Sequence, residues 1–349
     1  IMREVVIVSA VRTPIGSFGG SLSSFTAPEL GSIAIAESIK RAGISPDTVD
    51  EVIMGNVLTA GVGQAPARQA LLKAGLPDTV PATTVNKVCA SGMKAIMYAA
   101  NLIQSGEAET VVAGGMESMS NVPFYLPTQR FGNKLGHTQA LDGILKDGLL
   151  DAFNDEHMGI CAELCATEMN FSREDQDQFA IESYKRSQKA ANEGWFNDEI
   201  VKVKVRDRKG NTTEIESDEE VFRVDFDKMK SLRPVFKKDG TVTAANASAI
   251  NDGAAALVIM SGDKARQLGL KPLARILSQA SAAKDPVWFT TAPADAIPLA
   301  LKRADLSIDK IDLFEINEAF SVVSLANNKL LNLDPNKVNV NGGAVSLGH

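Results

Sequence analysis

Short apolar runs alternate along the chain with longer segments in which apolar residues recur at helical spacing. This alternation is typical of β-α-β units, so it predicts an α/β fold. The predicted strands are Val5–Ala10, Val49–Val57, Thr110–Ala113, Ala255–Ser261, Leu273–Leu277 and Ile311–Ile316. The predicted helices include Ala27–Ala42, Gln64–Ala74, Gly92–Ser105 and Ala294–Ala304.

Two distant segments of the chain are similar to each other. Residues 40–50 and 302–312 are identical at six of eleven positions, and both have the pattern of a helix end, a turn and a strand. A period of about 260 residues is too long for a solenoid and predicts two similar α/β halves; chance similarity is the alternative. Charge runs concentrate within residues 121–245, which indicates an inserted, more polar lobe.

The composition disfavours several classes of protein. The 349 residues include 36 Lys and Arg against 43 Asp and Glu, a net charge of −7. An acidic balance without a basic stripe disfavours nucleic acid as a partner, and no apolar run reaches the ~18–20 residues of a membrane helix. Single hydrophobic cores stop growing at roughly 250–300 residues, so two or three lobes are expected.

The first residue is Ile, which suggests that the original start, with any presequence, precedes it.

Cys89 is the candidate nucleophile among three cysteines. It follows an apolar strand and precedes the small residues that begin a predicted helix. A thiol at a helix N-terminus faces unpaired N–H groups and the positive end of the dipole, so the pKa of Cys89 is predicted to be lowered. An inert core cysteine is the alternative. Cys161 and Cys165 are four residues apart on one helix face, a spacing that favours packing over zinc binding.

A catalytic thiolate needs a proton acceptor, and the chain has three histidines. His137 lies in a polar stretch typical of the surface. His157 precedes a predicted helix. His349 follows a glycine-dense segment that would let a ligand approach the backbone closely. The residues alone leave the choice between these histidines open.

Seven segments, in order along the whole chain, resemble the thiolase family. They are Ser9–Gly16, Asn86–Lys94, Ala113–Ser120, His157–Gly159, Asn246–Ser248 with Asn251–Ala255, Asn317–Phe320 and Asn341–His349. The resemblance implies a five-layered αβαβα fold of two similar halves with an inserted loop domain. It divides the chain into an N-terminal half (1–120 and 246–271), the loop domain (121–245) and a C-terminal half (272–349).

The resemblance implies an acyltransferase that reversibly condenses two acetyl-CoA molecules to acetoacetyl-CoA and CoA. In that reaction Cys89 would carry the acetyl group. His349 would activate Cys89 and donate to a thioester oxygen, and Asn317 would hold a water in the same oxyanion hole; taken alone, Asn317 also suits an ordinary turn. The family pattern continues beyond this histidine to a second cysteine that acts as acid and base. The alternatives are a degradative 3-ketoacyl-CoA thiolase for longer chains and a non-catalytic CoA-binding relative.

The resemblance also implies the contacts of coenzyme A. The corresponding residues are Tyr184, Arg223, Val224, Asp225, Lys228, Ser248, His157, Met158 and Phe320. Because the chain is acidic, binding of the CoA phosphates would depend on local cations, with the planar Arg223 guanidinium stacked on adenine. For the segment around Arg223 the alternative is a solvated surface, and for His157 it is a buried packing role.

One subgroup of the family binds a monovalent cation such as potassium through oxygen atoms. The corresponding ligands are the Tyr184 hydroxyl and the backbone carbonyls of Ala244, Ala245, Ala247 and Val345. No redox cofactor is implied.

The resemblance further implies a homotetramer, a dimer of dimers assembled through residues 121–145. It implies a mitochondrial matrix enzyme of lipid and ketone body metabolism, with the cytoplasm as the alternative location.

Overall fold

A computed structural model describes residues 3–207 and 209–349. The strands are β1 (Val5–Arg12), β2 (Gly16–Ser17), β3 (Glu51–Gly55), β4 (Ala82–Val85), β5 (Thr110–Ser118), β6 (Phe124–Tyr125), β7 (Leu141–Asp142), β8 (Val203–Arg206), β9 (Thr212–Ile215), β10 (Asn251–Ser261) and β11 (Ala274–Arg275). The helices are α1 (Ala27–Ala42), α2 (Pro66–Lys73), α3 (Ser91–Ser105), α4 (Met158–Met169), α5 (Arg173–Asn192), α6 (Phe226–Met229), α7 (Gly262–Gln267), α8 (Pro293–Arg303), α9 (Ser321–Leu331) and α10 (Ala344–Leu347).

The main sheet has the strand order β11-β1-β10-β5-β3-β4, with β2 paired to β10. Strand β3 is parallel to both β4 and β5, and α2 and α3 form the crossovers between these strands. Strand β10 is antiparallel to β1 and β5, so the sheet is mixed. The predicted α/β fold is confirmed, and its β-α-β units account for β3, β4 and β5.

Helices cover both faces of this sheet. Along β3, Val52 and Met54 belong to the core beneath α1 and α2, whereas Ile53 belongs to the core beneath α3. Successive side chains of a strand point to opposite faces, which explains this division. A Cβ at Gly55 would lie 2.5 Å from the backbone carbon of Ser91. Glycine at the end of β3 therefore lets the first turn of α3 lie directly against the sheet.

The segment predicted as a polar lobe contains two small hairpins and three helices. The hairpins are β6-β7 and β8-β9, and α4 and α5 both pack against α9. The buried Cys161 and Cys165 lie in α4, which confirms their predicted packing role. None of the helices in residues 3–207 and 209–349 is long and apolar enough to span a lipid bilayer.

The two similar segments have the same local structure. Helix α1 ends at the left-handed Gly43, and α8 is followed by the left-handed Asp305. A 3₁₀ turn comes next in each segment, at Pro46–Thr48 and at Ile308–Lys310. The predicted helix–turn similarity is confirmed, whereas the domain boundaries at residues 120, 246 and 272 stay predictions.

Two predicted strands are shorter than their apolar runs. Only β11 forms within residues 273–277, and it pairs with β1 at the edge of the main sheet. Within residues 311–316, Phe314 makes a single parallel bridge to Val338. The Asn339 side chain then bonds both the N–H and the carbonyl of Ile316, at 2.8 Å each. An amide side chain thus takes the place of a backbone ladder, so no regular strand forms.

Candidate active site

Cys89 lies in a tight turn between β4 and α3. Val88, the residue before it, has φ of 49°, a left-handed conformation that is unfavourable for a β-branched residue. Two local contacts hold the turn: Asn86 Oδ1 accepts from Val88 N at 2.9 Å, and Ser91 Oγ accepts from Lys87 N at 2.8 Å. The predicted turn from an apolar strand into a helix is confirmed. The strain at Val88 is stored next to the candidate nucleophile.

The electrostatics of Cys89 differ from the sequence prediction. The residue is exposed, and the loss of water around its thiol is the main effect that raises the pKa of Cys89. The charge of Glu117 raises that pKa further, and the backbone N–H of Cys89 opposes both effects. The predicted lowering of the pKa is therefore wrong in direction, and Cys89 needs a base to react at neutral pH.

Glu117 was not singled out from the sequence, although it belongs to the glycine-rich segment 113–120. Its carboxylate accepts hydrogen bonds from Asn56 Nδ2 at 2.7 Å, Val57 N at 2.8 Å and Leu58 N at 3.1 Å. Burial raises the pKa of Glu117 despite these donors. Asn86 Nδ2 contacts the Val57 carbonyl at 3.4 Å, so this carboxylate fixes the loop that supports the Cys89 turn.

His349, Asn317 and Ser248 form one cluster. The His349 Nδ1 lies 3.2 Å from Ser248 Oγ, and its Nε2 lies 3.4 Å from Asn317 Nδ2. The backbone N–H of His349 donates to Asn251 Oδ1 at 2.9 Å. Burial lowers the pKa of His349, so the imidazole is neutral at pH 7 and can accept a proton. The candidate base and the candidate oxyanion residue are therefore neighbours.

The cluster and the candidate nucleophile are separate in this structure. Within the described part of the chain, no hydrogen bond joins the Cys89 sulfur to the His349 ring. One contact does connect the Cys89 turn to the second half: Lys87 Nζ donates to Ser281 Oγ at 2.8 Å. Catalytic hydrogen bonds are often long in a protein without its substrate, so this separation is compatible with reaction.

Glu318 connects the segments that carry this cluster. Its side chain is 1% exposed and accepts from Ser183 Oγ at 2.7 Å, Asn339 Nδ2 at 2.8 Å and Val345 N at 3.1 Å. Burial raises its pKa, and these donors and Arg186 oppose that rise. The carboxylate thereby links the Asn317 segment with α5 and with the glycine-rich segment before His349. Glu318 belongs to the Asn317–Phe320 segment, but its position in the sequence predicts no role for it.

An apolar wall flanks the cluster. The His157 ring stacks on Phe236 at 4.6 Å between centroids, and Phe236 meets Phe320 edge-on at 6.1 Å. His157 Nδ1 accepts from Gly159 N at 2.9 Å and so caps α4, while burial lowers the pKa of His157. Met158 packs against the same core. The structure groups His157, Met158 and Phe320 near Ser248, which bonds the neighbouring Ala319 carbonyl. Phe236 had no recognisable sequence signal.

The residues proposed to contact the nucleotide lie at the surface. Arg223 donates to Ser17 Oγ at 2.6 Å and to Glu219 Oε1 at 3.1 Å, and its side chain is 56% exposed. The exposed Lys228 pairs with Asp225 at 3.0 Å. Asp225 also caps α6. Val224 packs beside Tyr184. Both cations thus lie at the solvent boundary, and each is held by an acidic neighbour.

Tyr184, Ala245 and Val345 meet in one buried cluster. Burial, Glu220 and Glu318 raise the pKa of Tyr184 to about 12. Within the described residues, the Tyr184 hydroxyl makes no hydrogen bond. The carbonyl oxygens of Ala244, Ala245 and Ala247 likewise accept none among those residues. Free oxygens next to two carboxylates suit a cation of low charge, because such a cation is bound by oxygen ligands.

Comparison with known proteins adds independent information. The model of the N-terminal thiolase domain matches residues 5–263, and the model of the C-terminal thiolase domain matches residues 270–349. A Gibberella zeae protein named as a cytosolic acetyl-CoA acetyltransferase is 56% identical over 349 residues, which cover 100% of this chain and 88% of the relative. A Bos taurus mitochondrial acetyl-CoA acetyltransferase is 55% identical, with coverage of 100% and 82%.

A solved structure supports the same conclusion. An Ascaris suum thiolase in complex with coenzyme A is 46% identical and superposes with a TM-score of 0.95, covering 99% of this chain and 89% of that one. The predicted thiolase-like fold is therefore confirmed. Because the two domain models cover nearly all residues and the relatives exceed half identity along the full length, the chain belongs to the thiolase family of acyltransferases.

Proposed function

We propose that the protein is an acetyl-CoA C-acetyltransferase that interconverts two acetyl-CoA molecules with acetoacetyl-CoA and CoA through an acetyl-Cys89 intermediate. The observation that carries this proposal is the contact of the His349 ring with Asn317, in a thiolase that also has Cys89 in a strained turn. These groups supply the nucleophile, base and oxyanion donor that acyl transfer requires.

The acyl-transfer step follows from these groups. His349 Nε2 accepts the Cys89 proton as the sulfur attacks the thioester carbon. The resulting imidazolium N–H and a water held by Asn317 stabilise the negative oxygen of the tetrahedral intermediate. As the intermediate collapses, the CoA thiolate leaves and recovers the proton from His349. In the second half-reaction a base, the second cysteine that the family resemblance implies, removes a proton from the methyl group of another acetyl-CoA. The resulting carbanion attacks the acetyl carbon of acetyl-Cys89, the carbon–sulfur bond breaks, and the released Cys89 thiolate takes up the proton.

Substrate length tests the proposed function against the degradative alternative. The experiment is steady-state thiolysis of 3-ketoacyl-CoA esters of four, six, eight and ten carbons, with intact-protein mass spectrometry for the acyl-enzyme. We expect kcat/KM to be highest for acetoacetyl-CoA, because each additional methylene must fit the apolar wall at Phe320. A maximum at longer chains would identify a degradative thiolase, and no turnover would identify a CoA-binding protein.

Coenzyme A is proposed to bind across the exposed Arg223 and the apolar wall. Arg223 Nη1 donates to Ser17, which pairs with Asn251 in the β2-β10 register, and Asn251 bonds His349. A planar guanidinium held in this way can stack on adenine, and Lys228 can meet phosphate oxygens. The pantetheine would pass Tyr184, His157, Met158 and Phe320 and reach the Cys89 turn.

Asn317→Ala is expected to lower kcat by roughly 10–1000-fold with a smaller effect on KM, because one oxyanion-hole partner is lost. Steady-state thiolysis of acetoacetyl-CoA measures both constants. Asn211→Ala, in the exposed β8-β9 turn, is the matched control and should retain the wild-type kcat. An unchanged kcat in Asn317→Ala would show that Asn317 is an ordinary turn residue without a role in the oxyanion hole.

Potassium is proposed to bind the Tyr184 hydroxyl and the carbonyls of Ala244, Ala245, Ala247 and Val345. A bound potassium ion would neutralise charge and fix the loop beside the pantetheine. Because a ligand that binds only the folded state raises stability by mass action, we expect Tm to rise in potassium chloride relative to choline chloride.

Tyr184→Phe should abolish this potassium-dependent rise in Tm, which differential scanning calorimetry would measure. Tyr98→Phe is the matched control, because Tyr98 is exposed on α3 beneath Lys94. The control should retain the full rise. Equal Tm values for the wild type in the two salts would exclude the cation site.

A homotetramer is proposed to assemble through residues 121–145. Phe131 and Leu135 are 94% and 93% exposed between β6 and β7, and exposed apolar clusters of this kind favour association. Phe131→Asp combined with Leu135→Asp is expected to yield a smaller oligomer in light scattering after size exclusion. Phe153→Asp is the control, since Phe153 is 85% exposed outside the hairpin. A double variant of wild-type mass would contradict this assembly.

The proposed location is the mitochondrial matrix, where acetoacetyl-CoA chemistry would belong to lipid and ketone body metabolism. The similarity to the bovine mitochondrial relative supports a location in the matrix. The similarity to the cytosolic Gibberella zeae relative supports the cytosol as the alternative. Fractionation of the source cells with an antibody to the native protein would distinguish matrix from cytosol.

A further inference from the structure

The Ser248 hydroxyl lies between a backbone carbonyl and the candidate base. Its Oγ donates to the Ala319 carbonyl at 2.9 Å, and the Ser248 backbone N–H donates to the same carbonyl at 3.0 Å. A hydroxyl has one proton, so after this donation the oxygen can only accept. The His349 Nδ1 at 3.2 Å must therefore be the donor.

The other ring nitrogen leads to the same result. His349 Nε2 faces Asn317 Nδ2 at 3.4 Å, and an amide nitrogen donates but does not accept. Nε2 must then be the acceptor and carry the lone pair. Two contacts on opposite sides of the ring thus select one tautomer, with the proton on Nδ1.

We infer that Ser248 is a positioning residue that holds His349 in the Nδ1–H tautomer, so that Nε2 carries the lone pair that accepts the Cys89 proton. This inference deepens the proposed function and rests on it. The proton moves from the Cys89 sulfur to Nε2 as the sulfur forms its bond to the acyl carbon. When the CoA thiolate leaves, the same proton passes from Nε2 to it, and the Nδ1 proton stays on Nδ1, hydrogen-bonded to Ser248 Oγ, throughout.

The surroundings fix the ring as well as its tautomer. The His349 backbone N–H is held by Asn251, and Asn251 Nδ2 in turn donates to the Gly16 carbonyl at 3.0 Å. Gly348 has φ of 109°, and a Cβ there would lie 2.6 Å from Asn251. Burial alone lowers the pKa of His349, and no charged group in the described chain contributes to that shift. The two ring contacts that select the tautomer, to Ser248 and Asn317, are both with uncharged side chains.

This role differs from direct contact with pantetheine, which the family resemblance implies for Ser248. A pantetheine contact alone would affect substrate binding and leave the free enzyme unchanged. A tautomer-setting hydroxyl acts before substrate binds. The two roles therefore separate in measurements on the substrate-free protein.

The test combines ¹⁵N NMR of histidine-labelled protein with the rate of Cys89 alkylation by iodoacetamide at pH 7. The chain has only three histidines, so His137→Asn and His157→Asn assign the His349 signals. We expect an Nδ1–H tautomer in the wild type. In Ser248→Ala we expect a mixture of tautomers and alkylation slower by about 10–100-fold, the usual effect of losing an orienting partner of histidine.

Ser248→Thr keeps a hydroxyl and should restore the wild-type tautomer and most of the alkylation rate. Ser105→Ala is the matched control, because its hydroxyl also donates to a backbone carbonyl but lies at the far end of α3. An Nε2–H tautomer in the wild type, or an unchanged tautomer and alkylation rate in Ser248→Ala, would overturn the inference. Acetoacetyl-CoA turnover is measured separately, so failure of the proposed activity would not be confused with failure of the tautomer assignment.

Discussion

Cys89→Ala will reduce thiolysis of acetoacetyl-CoA by at least about 10⁴-fold, because it removes the thiol that carries the acetyl group. Intact-protein mass spectrometry after mixing with acetyl-CoA should detect one acetyl adduct on the wild type and none on the variant. Peptide mapping should assign that adduct to Cys89. The exposed position of the thiol at the start of α3 makes it accessible to a thioester.

The two other cysteines provide the control. Cys161 and Cys165 are 1% and 0% exposed in α4, and burial raises the pKa of both thiols. Cys161→Ala should therefore retain the adduct and most of the activity. An adduct that persists in Cys89→Ala, or that maps to Cys161, would remove Cys89 from the nucleophile role.

Apolar patterning predicted the first half of the fold well. The predicted Ala27–Ala42 helix matches α1 residue for residue, and the Val49–Val57 run contains β3. These elements bury a continuous apolar face against the sheet, so local pattern and tertiary packing agree. Apolar patterning predicted the strands of the second half less well. The Ile311–Ile316 run is as apolar as β3, yet Asn339 satisfies its backbone through a side chain.

The sequence predicted which residues form the candidate site, but it did not predict the direction in which the pKa of Cys89 is shifted. The position of Cys89 before α3 could be predicted, because Cys89 follows an apolar strand and precedes small residues that begin a helix. The sign of its pKa shift was not readable, because it depends first on the burial of the thiol by the folded chain and further on the charge of Glu117, which approaches from β5. Glu318 was hidden for the same reason: its three partners come from α5, the Asn339 turn and α10. Long-range polar contacts leave no periodic signal in a sequence.

The raised pKa of Cys89 makes the base essential. A thiol that stays protonated at neutral pH reacts only if a neighbouring group removes its proton. His349→Ala is therefore expected to lower kcat by roughly 10³–10⁴-fold, the upper range for loss of a general base. His137→Ala is the control, since His137 is exposed in the β6-β7 loop and should leave the rate unchanged.

The pH dependence gives an independent check on His349. Only the neutral imidazole accepts a proton, and burial lowers the pKa of His349 below its ordinary value of 6.5. The neutral form therefore persists to lower pH than in a solvated histidine. The midpoint of the acid-side decline in the wild-type kcat/KM should therefore lie below the ordinary histidine value of 6.5. His349→Ala should lose this acid limb together with most of the rate. If the same decline remained in the variant, another group would be the base, and the Cys89 proton would have to leave by a route that does not involve His349.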